Sequence, residues 1–348
     1  MLTNTVNNCG TILVTGASGY VASHCIKILL DQGYNVRGTV RSLAKKEKYE
    51  FLYGVSPNSA THLTLVEADL ENFESWRKAV ERCQYILHVA SPIPPYVPKD
   101  ENEIIKPAVE GTINVLNAAL ENGVSKVVVT SSCLTLFFGN DGKCVSEDDW
   151  SDTNKCSHYP KSKVLAERAA WEFYEKNKDK IQITTVLPSL VLGPSFTVHG
   201  NTSECLMKEI MNNTYPGIPQ PDVNYSIVDV RDVAQGHVNA LFDENSNGKR
   251  IILSGSNVSN EGIVNIFNEE FGKYGYVFPS KKVTAEDIRA SGHPLAQRII
   301  PMLGKNFQLT NERSIKELNM TYRTTQQSVI DMGLSLIRLG LVEDKTKN

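Results

Sequence analysis

The sequence lacks the features that place a protein in a membrane or on nucleic acid. No apolar run approaches the roughly 20 residues of a membrane-spanning helix, and the first nine residues are too polar for a signal peptide. An excess of one charge is also missing, because 36 Lys and Arg stand against 39 Asp and Glu. This balance argues against nucleic acid or an anionic membrane as the main partner. We therefore expect a cytoplasmic protein that binds neither.

The sequence lacks paired cysteines, since its cysteines are odd in number and irregularly spaced. The seven cysteines include no Cys-x-x-Cys pair, so neither a zinc site nor a disulfide framework is indicated. We expect reduced thiols and no bound metal. The 348 residues, 41% of them hydrophobic, suffice for one large domain with a smaller lobe.

A short glycine-containing segment, residues 15–22, stands between an apolar run at residues 12–14 and apolar residues at helical spacing. Gly16 permits a sharp turn, and Gly19 lets the backbone approach a pyrophosphate with no side chain in the way. The first N–H groups of the following helix then point at the negative charge. This segment predicts a dinucleotide site, and the residues expected to hold the dinucleotide there are Gly16, Ser18, Gly19, Tyr20 and Val21.

Strand and helix patterns alternate through residues 12–187. Near-continuous β-branched runs such as residues 127–129 are typical of a parallel sheet that helices cover on both faces. The lysine-rich segment 45–53 is predicted to be one of these helices. The expected fold class is α/β, a Rossmann-type doubly wound parallel sheet with ligands at the carboxyl ends of its strands.

The end of the second predicted strand indicates which nicotinamide cofactor binds. A carboxylate there would bind ribose hydroxyls, whereas cations there accept the additional 2′-phosphate of NADP. Arg41 follows this strand and Lys48 adds a second positive charge, so NADPH is favoured over NADH. Asp69 and Leu70, after the third strand, are expected to bracket the adenine. Two alternatives stay open, a solvated basic helix end and an ordinary loop aspartate at position 69.

Three polar side chains, placed after a predicted strand and at the start of a predicted helix, are candidates for the chemistry of a carbonyl reduction. Ser132 comes after the fifth strand, and Tyr159 and Lys163 share one face at the start of a predicted helix. The reduction needs a proton donor at the substrate oxygen, and the Lys163 ammonium is expected to lower the pKa of the Tyr159 hydroxyl. Lys163 would also hold the nicotinamide ribose, and Ser132 would orient the substrate oxygen. The alternative is a tyrosine packed beside a solvated lysine.

Motifs along nearly the whole chain resemble the extended short-chain dehydrogenase/reductase superfamily, and within it the dihydroflavonol reductase-like and cinnamoyl-CoA reductase-like group. The most specific motifs are residues 14–20, 88–92, 130–132, 159–163 and 188–194. The resemblance implies an NADPH-dependent reductase whose catalytic triad is Ser132, Tyr159 and Lys163. It also implies that certain further residues lie beside the cofactor, namely Val89, Ala90, Ser91, Pro188 and Val191.

The predicted domain organisation follows from these assignments. Residues 1–193 are expected to form the NADP-binding Rossmann domain, to which segments near 225–254 return. Residues 194–348 are expected to form mostly a smaller C-terminal substrate-binding lobe. Apolar side chains on loops around the site favour an apolar or aromatic carbonyl substrate. These side chains, each of which has a core position as its alternative, are Ile93, Leu134, Phe137 and Phe196.

The predicted function is NADPH-dependent reduction of an aldehyde or ketone, with a tyrosine as proton donor. The expected partner is a small-molecule carbonyl compound, bound by a monomer or homodimer. One alternative is a sugar-nucleotide epimerase or dehydratase, or a hydroxysteroid dehydrogenase-like enzyme, of the same superfamily. Another is a non-catalytic NADPH-binding redox sensor.

Overall fold

The computed structural model describes residues 10–92, 98, 100–199 and 202–347. The strands in chain order are β1 (Thr11–Val14), β2 (Val36–Val40), β3 (Leu63–Glu67), β4 (Cys83–His88), β5 (Lys126–Thr130), β6 (Cys144–Val145), β7 (Gln182–Pro188), β8 (Leu190–Leu192), β9 (Ile218–Pro219), β10 (Asn224–Asp229), β11 (Lys249–Leu253), β12 (Asn257–Ser259), β13 (Lys282–Val283) and β14 (Gln308–Leu309). The α-helices are α1 (Tyr20–Asp31), α2 (Ser59–His62), α3 (Phe73–Val80), α4 (Asn102–Glu121), α5 (Leu134–Phe137), α6 (His158–Asn177), α7 (Thr202–Met211), α8 (Val230–Phe242), α9 (Asn260–Phe271), α10 (Ala285–Ala290), α11 (Ala296–Ile299), α12 (Glu312–Leu318) and α13 (Thr325–Arg338). Within these described ranges, no helix combines the length and apolar character that crossing a membrane requires.

Seven of the strands form one parallel sheet in the order β11-β7-β5-β4-β1-β2-β3. In the centre of the sheet, Val14 of β1 pairs with Gly38 of β2 on one side and with Leu87 of β4 on the other. The order of the strands reverses between β1 and β4. In doubly wound sheets a ligand binds at the carboxyl ends of the strands beside such a reversal. The predicted Rossmann-type fold is confirmed.

Helices cover both faces of this sheet, which explains its β-branched strands. Val127 and Val128 in β5 are both fully buried. Val127 packs into the core under α3, α4 and α6, and Val128 packs into the core under α1 and α8. Because successive side chains of a strand point to opposite faces, such a run is stable only between two apolar layers.

A second apolar core forms beyond β7. It joins side chains of α7, α9 and α13, with Met207, Phe267 and Met332 fully buried. The three-stranded sheet β12-β10-β8 lies against this core. In contrast, α8 and β11 return to the seven-stranded sheet, where Ile251 pairs with Val186 of β7.

The segment predicted as a helix over residues 45–53 consists of two 3₁₀ turns, Lys46–Lys48 and Glu50–Gly54. The segment is thus helical, but it is made of 3₁₀ turns and not of α-helical turns. Only Tyr49 and Leu52 of this segment are buried, so it has no apolar stripe long enough to stabilise several α-helical turns.

Candidate active site

The turn between β1 and α1 forms a cradle of backbone atoms, here called the glycine cradle, with no room for a side chain at position 16. Gly16 has φ of +66°, and a Cβ there would lie 3.1 Å from the Cα of Ala90. Gly19 donates its N–H to the Gly16 carbonyl at 2.8 Å, and Ser18 and Val21 are half-buried beside it. No side chain of the described residues caps the first turn of α1. The leading N–H groups of this helix are therefore available to an anion such as a phosphate.

Tyr20 connects this cradle to the end of β8, where further cofactor contacts are predicted. Its hydroxyl donates to the Gly193 carbonyl at 2.7 Å. Val191 in β8 is half-buried and pairs with Val228 of β10. The carbonyl of Pro188 accepts the Cys133 N–H at 3.0 Å. The structure thus brings Pro188, at the end of β7, beside Cys133, the residue that follows Ser132.

Thr15 and His88, for which no individual role was predicted, join the cradle to the end of β4. Thr15 Oγ1 accepts the Ala90 N–H at 2.9 Å and lies 3.0 Å from His88 Nδ1. Burial, together with the Lys163 charge, lowers the pKa of His88 to about 3. The neutral ring fits Nδ1 as acceptor of the Thr15 hydroxyl proton. This pair fixes the half-buried segment in which three predicted cofactor contacts follow one another, namely Val89, Ala90 and Ser91.

The predicted phosphate-binding cations lie at the carboxyl end of β2. Arg41 and Lys48 are exposed, and neither forms an ion pair with another described residue. Asp69, after β3, is also exposed, and its Oδ1 accepts the Glu71 N–H at 3.0 Å. Leu70 lines the cleft that also contains Lys163. These four residues therefore border the same carboxyl edge of the sheet as the glycine cradle.

β5 and α6 bring the three predicted catalytic residues to this edge. Ser132 lies two residues after the end of β5, and its Oγ accepts the Leu134 N–H at 3.2 Å. Tyr159 and Lys163 belong to the first two turns of α6. The Lys163 ammonium donates to the carbonyl of Thr130, the last residue of β5, at 3.1 Å. The lysine is thereby connected to the strand end that carries the serine.

Burial shifts the pKa values of the two titratable groups, Tyr159 and Lys163, in opposite directions. It raises the pKa of Tyr159 to about 12, an effect that Cys133 reinforces and Arg298 opposes. It lowers the pKa of Lys163 to about 8, against the opposing charge of Glu167. The predicted lowering of the tyrosine pKa by Lys163 was wrong for this arrangement. Desolvation dominates both groups, and the cation that opposes it at Tyr159 is Arg298.

The predicted substrate residues separate into two places. Leu134 is half-buried in α5, next to Ser132, whereas Phe137 is buried and packs edge-on against Phe307 with a centroid distance of 4.6 Å. Phe196 stacks on His24 of α1 at 4.2 Å and does not join them. Ile93 lies outside the described residues.

Sequence reasoning missed the buried polar groups behind the triad. Glu167 accepts a hydrogen bond from Ser131 at 2.6 Å, and Arg250 donates to the same carboxylate at 2.8 Å. The one available signal was the spacing of Glu167, four residues after Lys163 and on the same helix face. Arg250 had no local signal, because it belongs to a strand 83 residues further along the chain.

Comparison with known proteins shows the family. Residues 12–254 match the NAD dependent epimerase/dehydratase family. An uncharacterized oxidoreductase of Saccharomyces cerevisiae is 34% identical, over 94% of this chain and 98% of its own length. Cinnamoyl-CoA reductase 1 of Arabidopsis thaliana is 32% identical, over 95% of this chain and 90% of its own. The crystal structure of yeast methylglyoxal/isovaleraldehyde reductase Gre2 with NADPH matches with a TM-score of 0.77 and 26% identity, over 95% of this chain and 99% of that one.

The site itself fits an NADP molecule. A Cβ at Gly16 would fill the cradle in which a pyrophosphate belongs, and the exposed Arg41 and Lys48 offer charge to a 2′-phosphate. The Gre2 proteins of yeast and of Candida albicans were both solved with NADPH. The resemblance seen in the motifs is confirmed. The chain belongs to the NAD-dependent epimerase/dehydratase family, in the dihydroflavonol reductase-like group of the extended short-chain dehydrogenases/reductases, and is an NADP-dependent oxidoreductase.

Proposed function

We propose that the protein is an NADPH-dependent carbonyl reductase that acts on aldehydes or ketones with apolar or aromatic substituents. The observation that carries the proposal is the hydrogen bond from the Lys163 ammonium to the carbonyl of Thr130, two residues before Ser132, at the carboxyl edge of the sheet where the glycine cradle also lies. Tyr159 stands one turn before Lys163 in α6. The names of two relatives support it, since one is a methylglyoxal/isovaleraldehyde reductase and the other a cinnamoyl-CoA reductase.

Each of the three residues has its own task in the proposed reaction. Ser132 donates a hydrogen bond to the carbonyl oxygen of the substrate and orients it. Tyr159 transfers its phenolic proton to that oxygen as negative charge develops there. Lys163 binds ribose hydroxyls of the cofactor through its ammonium donors. Bound NADPH supplies the hydride.

The proposed cofactor contacts follow the carboxyl edge of the sheet. The 2′-phosphate is assigned to Arg41 and Lys48, and the adenine to Asp69 and Leu70. The pyrophosphate is assigned to the glycine cradle, and the nicotinamide half to the ends of β4, β7 and β8. The residues assigned to the pyrophosphate and to the nicotinamide half are Gly16, Ser18, Gly19, Tyr20, Val21, Val89, Ala90, Ser91, Tyr159, Lys163, Pro188 and Val191.

Activity with defined carbonyl compounds tests the proposed function. Methylglyoxal, isovaleraldehyde, an aromatic aldehyde and cinnamoyl-CoA are each supplied with NADPH, and loss of NADPH absorbance is followed. We expect oxidation of NADPH and formation of an alcohol with at least one aldehyde. Epimerisation of UDP-glucose without net NADPH consumption, or NADPH binding without turnover of any of the carbonyl compounds, would refute the proposal.

Charge reversal at Arg41 is expected to change which cofactor is preferred. Arg41→Asp should raise the NADPH dissociation constant about 10- to 100-fold, because a charge-assisted phosphate contact is lost. The NADH dissociation constant should change much less. Lys180→Asp is the matched control, since Lys180 is exposed just before β7, at the opposite edge of the sheet. Equal weakening of NADPH and NADH would show that other residues recognise the 2′-phosphate.

Adding a methyl group at Gly16 is expected to weaken both cofactors alike. Gly16→Ala forces alanine into a left-handed conformation, which costs about 1–2 kcal/mol, and its Cβ would stand 3.1 Å from the Ala90 Cα. We expect dissociation constants about tenfold higher for NADPH and NADH. Gly33→Ala is the control, because Gly33 also has positive φ but nothing lies within 4 Å of its added Cβ. It should lose stability but keep cofactor affinity. Unchanged cofactor binding in Gly16→Ala would contradict the assignment of the cradle.

A further inference from the structure

A buried carboxylate, which the proposed reaction does not use, lies behind the triad. Glu167 stands one helical turn after Lys163 in α6, and its side chain is 1% exposed. Its Oε2 accepts the Ser131 hydroxyl proton at 2.6 Å, and its Oε1 accepts that of Thr185 in β7 at 2.8 Å. Because Ser131 immediately precedes Ser132, these bonds fix the strand end from which the proposed catalytic serine extends.

Arg250 holds this carboxylate in a single orientation. Its Nε donates to Glu167 Oε1 at 2.8 Å and its Nη2 to Oε2 at 3.2 Å. Its Nη1 donates to the carbonyls of Glu147 and Asp149 at 2.7 and 2.6 Å. The Trp150 ring centroid lies 3.7 Å from the guanidinium carbon. A planar guanidinium with partners in its plane and on its face has little freedom to turn.

Glu167 also affects Lys163 through its charge. The two residues are separated by four positions on α6 and line the same cleft. Burial lowers the pKa of Lys163 to about 8, and Glu167 is the group whose charge opposes that fall. Across one helical turn in a partly buried site, an opposite charge changes a pKa by on the order of one unit.

The other groups around Lys163 contribute little opposing charge. His88, on β4, is neutral because its pKa is about 3, and Tyr159 is neutral because its pKa is about 12. Helix α4 contributes Ala108 and Thr112 to the cleft, neither of them charged. Arg250 pairs with Glu167 from β11 and offsets part of its negative charge.

We infer that Glu167, held by Arg250, is a positioning residue for the proposed carbonyl reduction: it keeps the Lys163 side chain charged and fixes the strand end that presents Ser132. This inference rests on the proposed function. Both carboxylate oxygens of Glu167 are bound by Ser131, Thr185 and Arg250, so Glu167 acts through its neighbours and is not assigned a proton transfer.

The pH dependence of NADPH binding tests this inference without any carbonyl substrate. In the unmodified protein, affinity should fall above about pH 8 as Lys163 loses its proton, and Lys163→Met should abolish that fall. In Glu167→Gln, which keeps an amide oxygen for Ser131 but removes the charge, the fall should begin about one pH unit lower. Dissociation constants are measured by fluorescence titration from about pH 6 to about pH 10.

Two further variants separate positioning from loss of folding. Glu167→Gln leaves Arg250 unpaired, whereas the double variant E167Q/R250Q has a neutral pair. The double variant should recover thermal stability, but the pH at which its NADPH affinity falls should still be lower than in the unmodified protein. Glu101→Gln is the matched control. Glu101 pairs at 2.8 Å with Lys161, which belongs to α6 as Glu167 does, but the Glu101 side chain is 39% exposed. Its titration should coincide with that of the unmodified protein.

The results distinguish this inference from the proposed function. If Glu167→Gln lowers the melting temperature but its affinity falls at the same pH as in the unmodified protein, the residue is merely structural and the inference is wrong. If the fall shifts as expected but no carbonyl compound is reduced, Glu167 still positions Lys163 for cofactor binding and the proposed reductase activity is wrong.

Discussion

Tyr159→Phe is expected to lower kcat for carbonyl reduction about a thousandfold while the NADPH dissociation constant changes less than about twofold. Burial raises the pKa of this phenol to about 12, so at neutral pH it holds the proton that the substrate oxygen needs. Phenylalanine keeps the ring and its packing but has no proton to give. The loss should therefore appear in the chemical step and not in cofactor binding.

Steady-state kinetics and fluorescence titration of NADPH measure these two effects separately. Tyr174→Phe provides a matched control on the same helix, because the Tyr174 hydroxyl hydrogen-bonds Gln182 Oε1 at 3.1 Å, at the far end of α6. It should retain the turnover of the unmodified protein. Comparable turnover in Tyr159→Phe would rule out this tyrosine as the proton donor.

Arg250→Met is expected to lower the free energy of unfolding by about 3–5 kcal/mol. The substitution leaves the Glu167 carboxylate buried without its cation, and it removes the donors to the carbonyls of Glu147 and Asp149. An uncompensated buried charge is far more costly than the loss of a surface ion pair. Urea-induced unfolding at neutral pH measures the change.

Two comparisons show whether the buried charge causes this loss. The double variant E167M/R250M should recover much of the stability, because no unpaired charge remains. Arg313→Met should cost no more than about 1–2 kcal/mol, since Arg313 pairs at 3.8 Å with an Asp148 side chain that is 89% exposed and donates one hydrogen bond, at 3.0 Å, to the Arg250 carbonyl. A loss in Arg250→Met no larger than that in Arg313→Met would contradict the account of the buried pair.

The pH dependence of stability gives an independent check on the pair. Burial raises the pKa of Glu167, but Arg250 and the hydrogen bonds to Ser131 and Thr185 outweigh it and hold the pKa below the usual 4.5. The stability that this depressed pKa contributes is present above about pH 4.5 and is lost as the pH falls through the folded-state value. In Arg250→Met the carboxylate can protonate, so the difference in stability between the two proteins should narrow at acid pH.

The cofactor edge was predictable because its signals are local. An apolar strand, a turn with Gly16 and Gly19, and an amphipathic helix occupy one short stretch of sequence. Tyr159 and Lys163 likewise follow from helical spacing. Parallel strand order then places such turns at one edge, so the fold and the position of the site follow without long-range information.

The rest of the site depends on contacts between distant parts of the chain. Glu167 and Arg250 meet only because β11 lies next to β7 at one end of the sheet. Phe196 stacks on His24, which lies in α1 near the start of the chain. The charge that opposes burial at Tyr159 comes from Arg298. None of these pairings can be predicted from the spacing of neighbouring residues in the sequence.

Transfer of deuterium from labelled NADPH tests the central claim most directly. Isovaleraldehyde is reduced with NADPH deuterated at either position of the nicotinamide C4, and the alcohol is analysed by mass spectrometry and NMR. The account predicts that one of the two labelled cofactors places deuterium on the carbinol carbon, and that Tyr159→Phe suppresses formation of this product. Alcohol formed without label from either cofactor, or formed equally well by Tyr159→Phe, would contradict it.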